Sequence, residues 1–334
     1  VRERTVTWRR QHRRPRVGFM PVTILAAVLV VALVSWLARG LVDPRAHADA
    51  LEQYAESLVE RDLADRGWVA VAVPAARAPG PALAPAPPRP GRSGPIPYPG
   101  DAAAALARAA DELRRVQDVT LLLPERSFVL ELFHGPVTGH PPPVAAAAAA
   151  AAVVAAELGR YPPRALRGAR FRRVLLCAEL AEGGARIPSL PNYQQTLLLD
   201  VASPPDFLPR LLHHELLHFI DFSDDDQVLV DPAWEALNER YFVYGVGGRA
   251  MREPGSSRLA RDLPGFVSRY ATAALEEDKA EVFSFLMTAP GDVAALAAAD
   301  PVLRRKIAAI ERQVGAALPA LDARFFRAVA RGER

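Results

Sequence analysis

The chain has 334 residues, half of them apolar and 24% charged, with a formal net charge of +3 at neutral pH. That length and composition suit one large domain or two small ones around a buried core, and they exclude a chain disordered throughout. A lone cysteine, Cys177, excludes an intramolecular disulfide and a cysteine-built zinc cage, so His, Asp and Glu are the available metal donors.

The charge is unevenly spread. Residues 1–48 hold nine Arg against Glu3 and Asp43, which leaves 32 basic and 36 acidic residues, a net of −4, in the rest of the chain. The basic balance is therefore an orientation signal at one end and not a nucleic-acid footprint, and no nucleic-acid partner is expected. Residues 17–38 form an uncharged run of 22 residues, long enough to cross a hydrocarbon core of about 30 Å, and they read as a transmembrane signal anchor. Arg2, Arg4, Arg9, Arg10, Arg13, Arg14 and Arg16 precede it against Glu3 alone. Such an excess holds residues 1–16 in the cytoplasm as a basic tail and sends everything after residue 40 to the extracytoplasmic side. Ala46-His47-Ala48 has the small-x-small form of a signal-peptidase site, and cleavage there would release a secreted form beginning at Asp49. The apolar run exceeds the usual h-region of about 7–15 residues, which favours an uncleaved single-pass anchor.

Residues 39–100 read as a stalk and linker. Leu51, Tyr54, Leu58 and Leu63 give 43–66 roughly helical spacing. From 73 to 100 the crowding of Pro, Ala and Gly favours extended, solvated backbone. Residues 101–334 are expected to form the folded domain. Asp101 caps a helix running to about Val116, and 119–132 alternates like one strand or two. Pro141-Pro142-Pro143 starts a helix through the alanine tract 145–152 to Leu158, because alanine is the best helix former. Residues 171–177 and 196–201 are short apolar runs bounded by turn residues and read as strands, whereas 183–193, with two Gly and two Pro, reads as a loop. The part beyond Pro232 is expected to be mainly helical.

Asp206 or Ser203 can cap a helix over residues 207–221 that contains His214-Glu215-Leu216-Leu217-His218. Positions i and i+4 share one helical face, so His214 and His218 can present both imidazoles to one cation. Glu215, next to the first ligand, reaches a water on that cation, which is the physical content of H-E-x-x-H. His213 lies roughly 100° around the helix from that face and reads as a polar packing residue. A catalytic zinc needs a third protein ligand and one open position, and no further His follows, so a carboxylate must complete the set. Two stretches compete: Asp221 with Asp224-Asp225-Asp226, and the helix opening at Glu276, on which Glu277 and Glu281 share a face. Asp221, one turn beyond His218, either supports a ligand or ends the helix.

These motifs, in this order, resemble the glutamate-ligand zincin metallopeptidases (gluzincins), specifically the anthrax lethal-factor-like branch. That family follows H-E-x-x-H with a second helix bearing E-x-x-A-E-x-F and a Tyr seven residues before its first Glu. Here the matching residues are Glu277, Ala280, Glu281, Phe283 and Tyr270. The resemblance spans about residues 170–290, while 219–269 matches nothing in the family, so substrate preference is not carried over. It implies Glu277 as third ligand of one catalytic zinc, Glu281 as a carboxylate orienting a ligating histidine, and Tyr270 as a hydroxyl over the metal. It also implies an α+β zincin-like fold: a small mixed sheet, including 171–177 and 196–201, over the active helix, with one of these strands as the edge that pairs with extended peptide substrate. The expected activity is hydrolysis of peptide bonds by a metal-activated water with Glu215 as general base. The alternative is a membrane-anchored binding or scaffolding protein that keeps a structural zinc. A structural site closes its fourth position and needs no base, so the presence of Glu215 weighs against it.

Overall fold

The computed structural model describes residues 44–72, 99–132, 134–225, 229–251 and 255–333. The expected anchor at 17–38 and almost all of the Pro/Ala-rich stretch at 73–100 lie outside them. No helix among the described residues is long and apolar enough to cross a membrane. Contacts divide the chain into two units, 1–61 and 62–334, and the division falls inside helix α1 (Pro44–Asp65). The second unit carries everything that follows.

It is a mixed α/β structure built on strand β5 (Arg173–Glu182). The first half of β5 is flanked by two parallel neighbours, β2 (Thr120–Pro124) and β8 (Thr196–Asp200). Strand β1 (Trp68–Ala70) runs antiparallel on β2, and β7 (Ser189–Tyr193) antiparallel on β8. The second half of β5 takes antiparallel partners, β4 (Gly135–His140) and the two-residue β6 (Ala185–Arg186), with β3 (Phe128–Leu132) outside β4. Glu179, at φ 55°, lies near the change of partners, where a left-handed residue breaks the regular pleat. All five residues of β8 are buried, as expected of a strand covered on both faces.

Two expectations are corrected here. Residues 183–193 are not a loop, since β6 and β7 lie inside them. Pro191 falls where the β7–β8 register shifts between Leu190 and Tyr193, and an edge strand tolerates the missing N–H. Since β8 is paired on both sides and β5 is paired along its length, neither offers the free edge expected of one of them; among the described residues β7 does. The part beyond Pro232 is mainly helical, as expected, with one irregular stretch. After the short α5 (Pro232–Glu235) the chain is largely irregular until α6 (Leu275–Thr288), and helices then continue as α7 (Pro290–Ala299), α8 (Pro301–Ala317) and α9 (Ala323–Ala330).

The alanine tract becomes helix α3 (Val144–Leu158), which buries Ala147, Ala148, Ala150, Ala151, Val154 and Leu158. It packs on α2 (Pro99–Gln117) and on α4 (Leu208–Asp225), small side chains allowing close approach. Gln117 Nε2 fastens α2 to the end of α3 by donating to the carbonyls of Leu158 and Tyr161, both at 3.0 Å. Helix α4 is thereby sunk in the core, with residues 211–217 all buried, and Phe171 meets Phe219 edge-to-face at 4.9 Å.

Candidate metal centre

The i, i+4 offset on α4 places His214 Nε2 3.3 Å from His218 Nε2. Helix α6 crosses this face and sets Glu277 Oε2 3.0 Å from His214 Nε2 and 3.8 Å from His218 Nε2. One ligand atom from each of the three lies within 4.8 Å of the others. The crossing is fixed by pairs outside the cluster. Lys279 Nζ of α6 lies 2.9 Å from Asp221 Oδ1 of α4 and 2.7 Å from Asp231 Oδ2. Asp221 does not end its helix, which continues to Asp225; its hydrogen bonds from Lys279 and Gln313 tie α4 to α6 and α8.

Proton accounting explains what the cluster wants. His214 Nδ1 sits 3.0 Å from Glu281 Oε1, so the imidazole N–H belongs there and Nε2 turns its lone pair inward. That lone pair then faces a second imidazole nitrogen and a carboxylate oxygen, and three electron-rich atoms this close require a cation among them. In the metal-free chain a proton takes that place. Burial opposes the charge on His214, yet Glu277 and Glu281 push the imidazole up to about 10. Burial likewise opposes the Glu277 charge, yet the His214 bond holds that carboxylate at about 2. His218 falls to about 4, first through burial and then through the charged His214 beside it. Two imidazoles and one carboxylate form a donor set of the kind that suits a divalent transition metal.

Glu215 is buried, and burial raises its carboxyl to about 7. Its Oε1 accepts a 2.6 Å hydrogen bond from Ser189 Oγ of β7, while Oε2 is buried and has no hydrogen-bond partner among the described residues. Tyr270 opens a short 3-10 turn (Tyr270–Thr272), donates to Glu277 Oε1 at 3.0 Å and lies 5.9 Å from the His214 ring. Burial and then the Glu277 charge raise its phenol well above the usual range. Glu281 is held on all sides, accepting from Arg210 Nη1 at 3.0 Å, Ser257 Oγ at 2.9 Å and Ser268 Oγ at 2.6 Å besides His214. The Arg210 guanidinium lies 5.0 Å from the Phe207 ring centre and 4.7 Å from that of Phe285, so its charge is shielded and its plane fixed.

His213 is fully buried on another face of α4, its ring nitrogens 2.7 Å from Tyr161 Oη and 2.9 Å from Glu157 Oε2, and serves packing. A cleft of about 930 Å³ opens over the cluster between β7 and residues 248–251 and 255–259. Gly248 comes closest: a Cβ built there would lie 2.1 Å from Glu277 Oε1 and 2.2 Å from Tyr270 Oη. Arg210, Ser189, Ser257, Ser268 and Gly248 were not found from sequence. Only Arg210, one turn before His214 on the same helix, left a local signal. No protein-family model, no curated protein and no solved structure matches the chain. Function is therefore to be read from the chemistry of the site.

Proposed function

We propose that the chain is a zinc-dependent peptidase of zincin-like fold, resembling the lethal-factor-like gluzincins, with His214, His218 and Glu277 holding one zinc ion. The observation that carries this reading is the convergence of one ligand atom each from His214, His218 and Glu277, with a buried Glu215, next to His214, whose Oε2 has no hydrogen-bond partner among the described residues. A bound zinc supplies Lewis acidity and an acidified water. Glu215 Oε2 has the free electron pairs to take a proton from that water and pass it to the leaving amine. Tyr270 Oη, donating to Glu277 in the free chain, is placed to turn its hydrogen bond to a developing oxyanion. Glu281 keeps His214 in the tautomer that offers Nε2. The edge of β7 that is unpaired among the described residues suits main-chain pairing with an extended peptide, and Ser189, Leu190 and Pro191 of β7 line the cleft. With residues 17–38 as anchor, this chemistry runs on the extracytoplasmic side of a membrane.

The test compares peptide-library hydrolysis by wild type, Glu215→Gln and Tyr270→Phe at matched zinc content. Glu215→Gln should keep zinc and fold and lose at least about a hundredfold in turnover. Tyr270→Phe should lose a smaller factor, and Ala at His214, His218 or Glu277 should strip the metal. Equal hydrolysis by wild type, Glu215→Gln and Tyr270→Phe would leave a scaffold with a structural zinc.

A further inference from the structure

Ser189 is the first residue of β7, and among the described residues β7 pairs with β8 alone. Its hydroxyl leaves the strand and closes on Glu215 Oε1 at 2.6 Å, the one hydrogen bond that carboxylate receives from another side chain among the described residues. The two oxygens of Glu215 are thus made unequal. Oε1 is claimed, and Oε2 stays buried without a hydrogen-bond partner among the described residues. A carboxylate left to rotate about its last bond would exchange the two oxygens and seek the nearest donor, since a buried acceptor without a partner is costly. Ser189 and Glu215 both line the cleft with His214 and His218, so this contact sits at the wall where substrate enters and not in the packed core.

We infer that Ser189 is a positioning residue that acts through Glu215, holding Oε1 so that Oε2 is the oxygen left to act as base. The inference deepens the peptidase reading and rests on it. It also links the edge strand to the base, because any shift of β7 that breaks the Ser189 contact frees the Glu215 carboxylate.

The experiment uses the full chain with zinc, as wild type, Ser189→Ala, Ser189→Thr and Glu215→Gln. Ser189→Ala should lower kcat about tenfold, the scale of one orienting hydrogen bond, with KM within about twofold and zinc content unchanged. Ser189→Thr keeps the hydroxyl and suits a strand, so it should restore kcat to within about threefold of wild type. The second readout needs no turnover: in metal-free protein labelled at Glu carboxyl carbons, Ser189→Ala should move the Glu215 titration midpoint upward, while Ser189→Thr leaves it in place. An unmoved Glu215 resonance in Ser189→Ala overturns the inference, and so does a threonine variant as slow as the alanine one. If wild type and Glu215→Gln are equally inactive, the peptidase reading fails, and the resonance still reports whether Ser189 holds the carboxylate.

Discussion

Replacing Gly248 with alanine strikes the metal centre without straining the backbone. The added Cβ would lie 2.1 Å from Glu277 Oε1, 2.2 Å from Tyr270 Oη and 2.9 Å from Glu277 Cδ. Carbon–oxygen contacts are comfortable at about 3.3 Å or more, so the overlap is roughly 1 Å on two atoms at once. Neither atom can step aside freely. Glu277 is held through Oε2 by His214 and through Oε1 by Tyr270, both at 3.0 Å. Relief must come from moving that carboxylate or from backing off the segment around 248. A displacement of about 1 Å at a reacting centre costs on the order of a hundredfold in rate, whereas overpacking costs about 1–3 kcal/mol in stability. Gly247→Ala is the internal control. Gly247 has φ 107° and nothing within 4 Å of a built Cβ, so alanine there strains the backbone and touches no other group. Zinc affinity by chelator competition, kcat/KM on a responsive peptide and thermal unfolding separate the two. Gly248→Ala should lose at least about tenfold in zinc affinity and about a hundredfold in kcat/KM, with a melting shift of a few degrees. Gly247→Ala should melt earlier with its zinc affinity almost intact. Wild-type affinity and rate in Gly248→Ala would show that the contact yields at no cost and refute the reasoning.

Two further outcomes follow from charges in the same unit. His214 is pushed up to about 10 and Glu277 down to about 2, so near pH 7 the metal-free cluster carries one proton that zinc must displace. Zinc affinity should therefore rise about tenfold per pH unit between 6 and 8, with close to one proton released in calorimetry across buffers; a flat profile would contradict the assignment. Lys306 Nζ lies 2.6 Å from Asp278 Oδ2, and both side chains are fully buried. Lys306→Met should cost about 3–5 kcal/mol in denaturant unfolding by stranding the carboxylate, and adding Asp278→Leu should recover part of that loss, which strictly additive losses would disprove.

How much was legible in the sequence depends on the range of the interaction that decides each feature. The i, i+4 spacing of His214 and His218, the shared face of Glu277 and Glu281, and the helix through the alanine tract are set within one or two turns, and local pattern reveals them. The limits of α3 at Val144 and Leu158 matched the expectation because Pro143 and the tract itself decide them. Strand β7 was invisible because nothing in Ser189-Leu190-Pro191-Asn192-Tyr193 favours a strand; pairing with β8 makes it one. Without that strand, Ser189 had no reason to be placed near Glu215. Strand β5 outran its expected end at Cys177, since its second half is stabilised by β4 and β6. The ties of Asp221 to Lys279 and of Arg210 to Glu281 span 58 and 71 residues, beyond any local signal.

Those long-range ties bear on what zinc contributes to folding. Helices α4 and α6 are clamped by Asp221–Lys279 and by Glu281 with its partners Arg210, Ser257 and Ser268, and none of these contacts needs a metal. The donors are therefore brought together by the core and by buried charge pairs, in contrast to small domains whose fold is paid for by metal binding. With a proton on His214 balancing the carboxylates, the metal-free cluster is also electrostatically tolerable at neutral pH. Removing zinc should leave a cooperatively folded protein with intact near-ultraviolet circular dichroism. Its melting temperature should fall by roughly ten degrees, the scale of losing about 4 kcal/mol of ligand stabilisation at a thousandfold excess over Kd. Loss of tertiary signal on chelation, reversed only by zinc, would mean that the metal organises α4 and α6 and that their charge pairs do not.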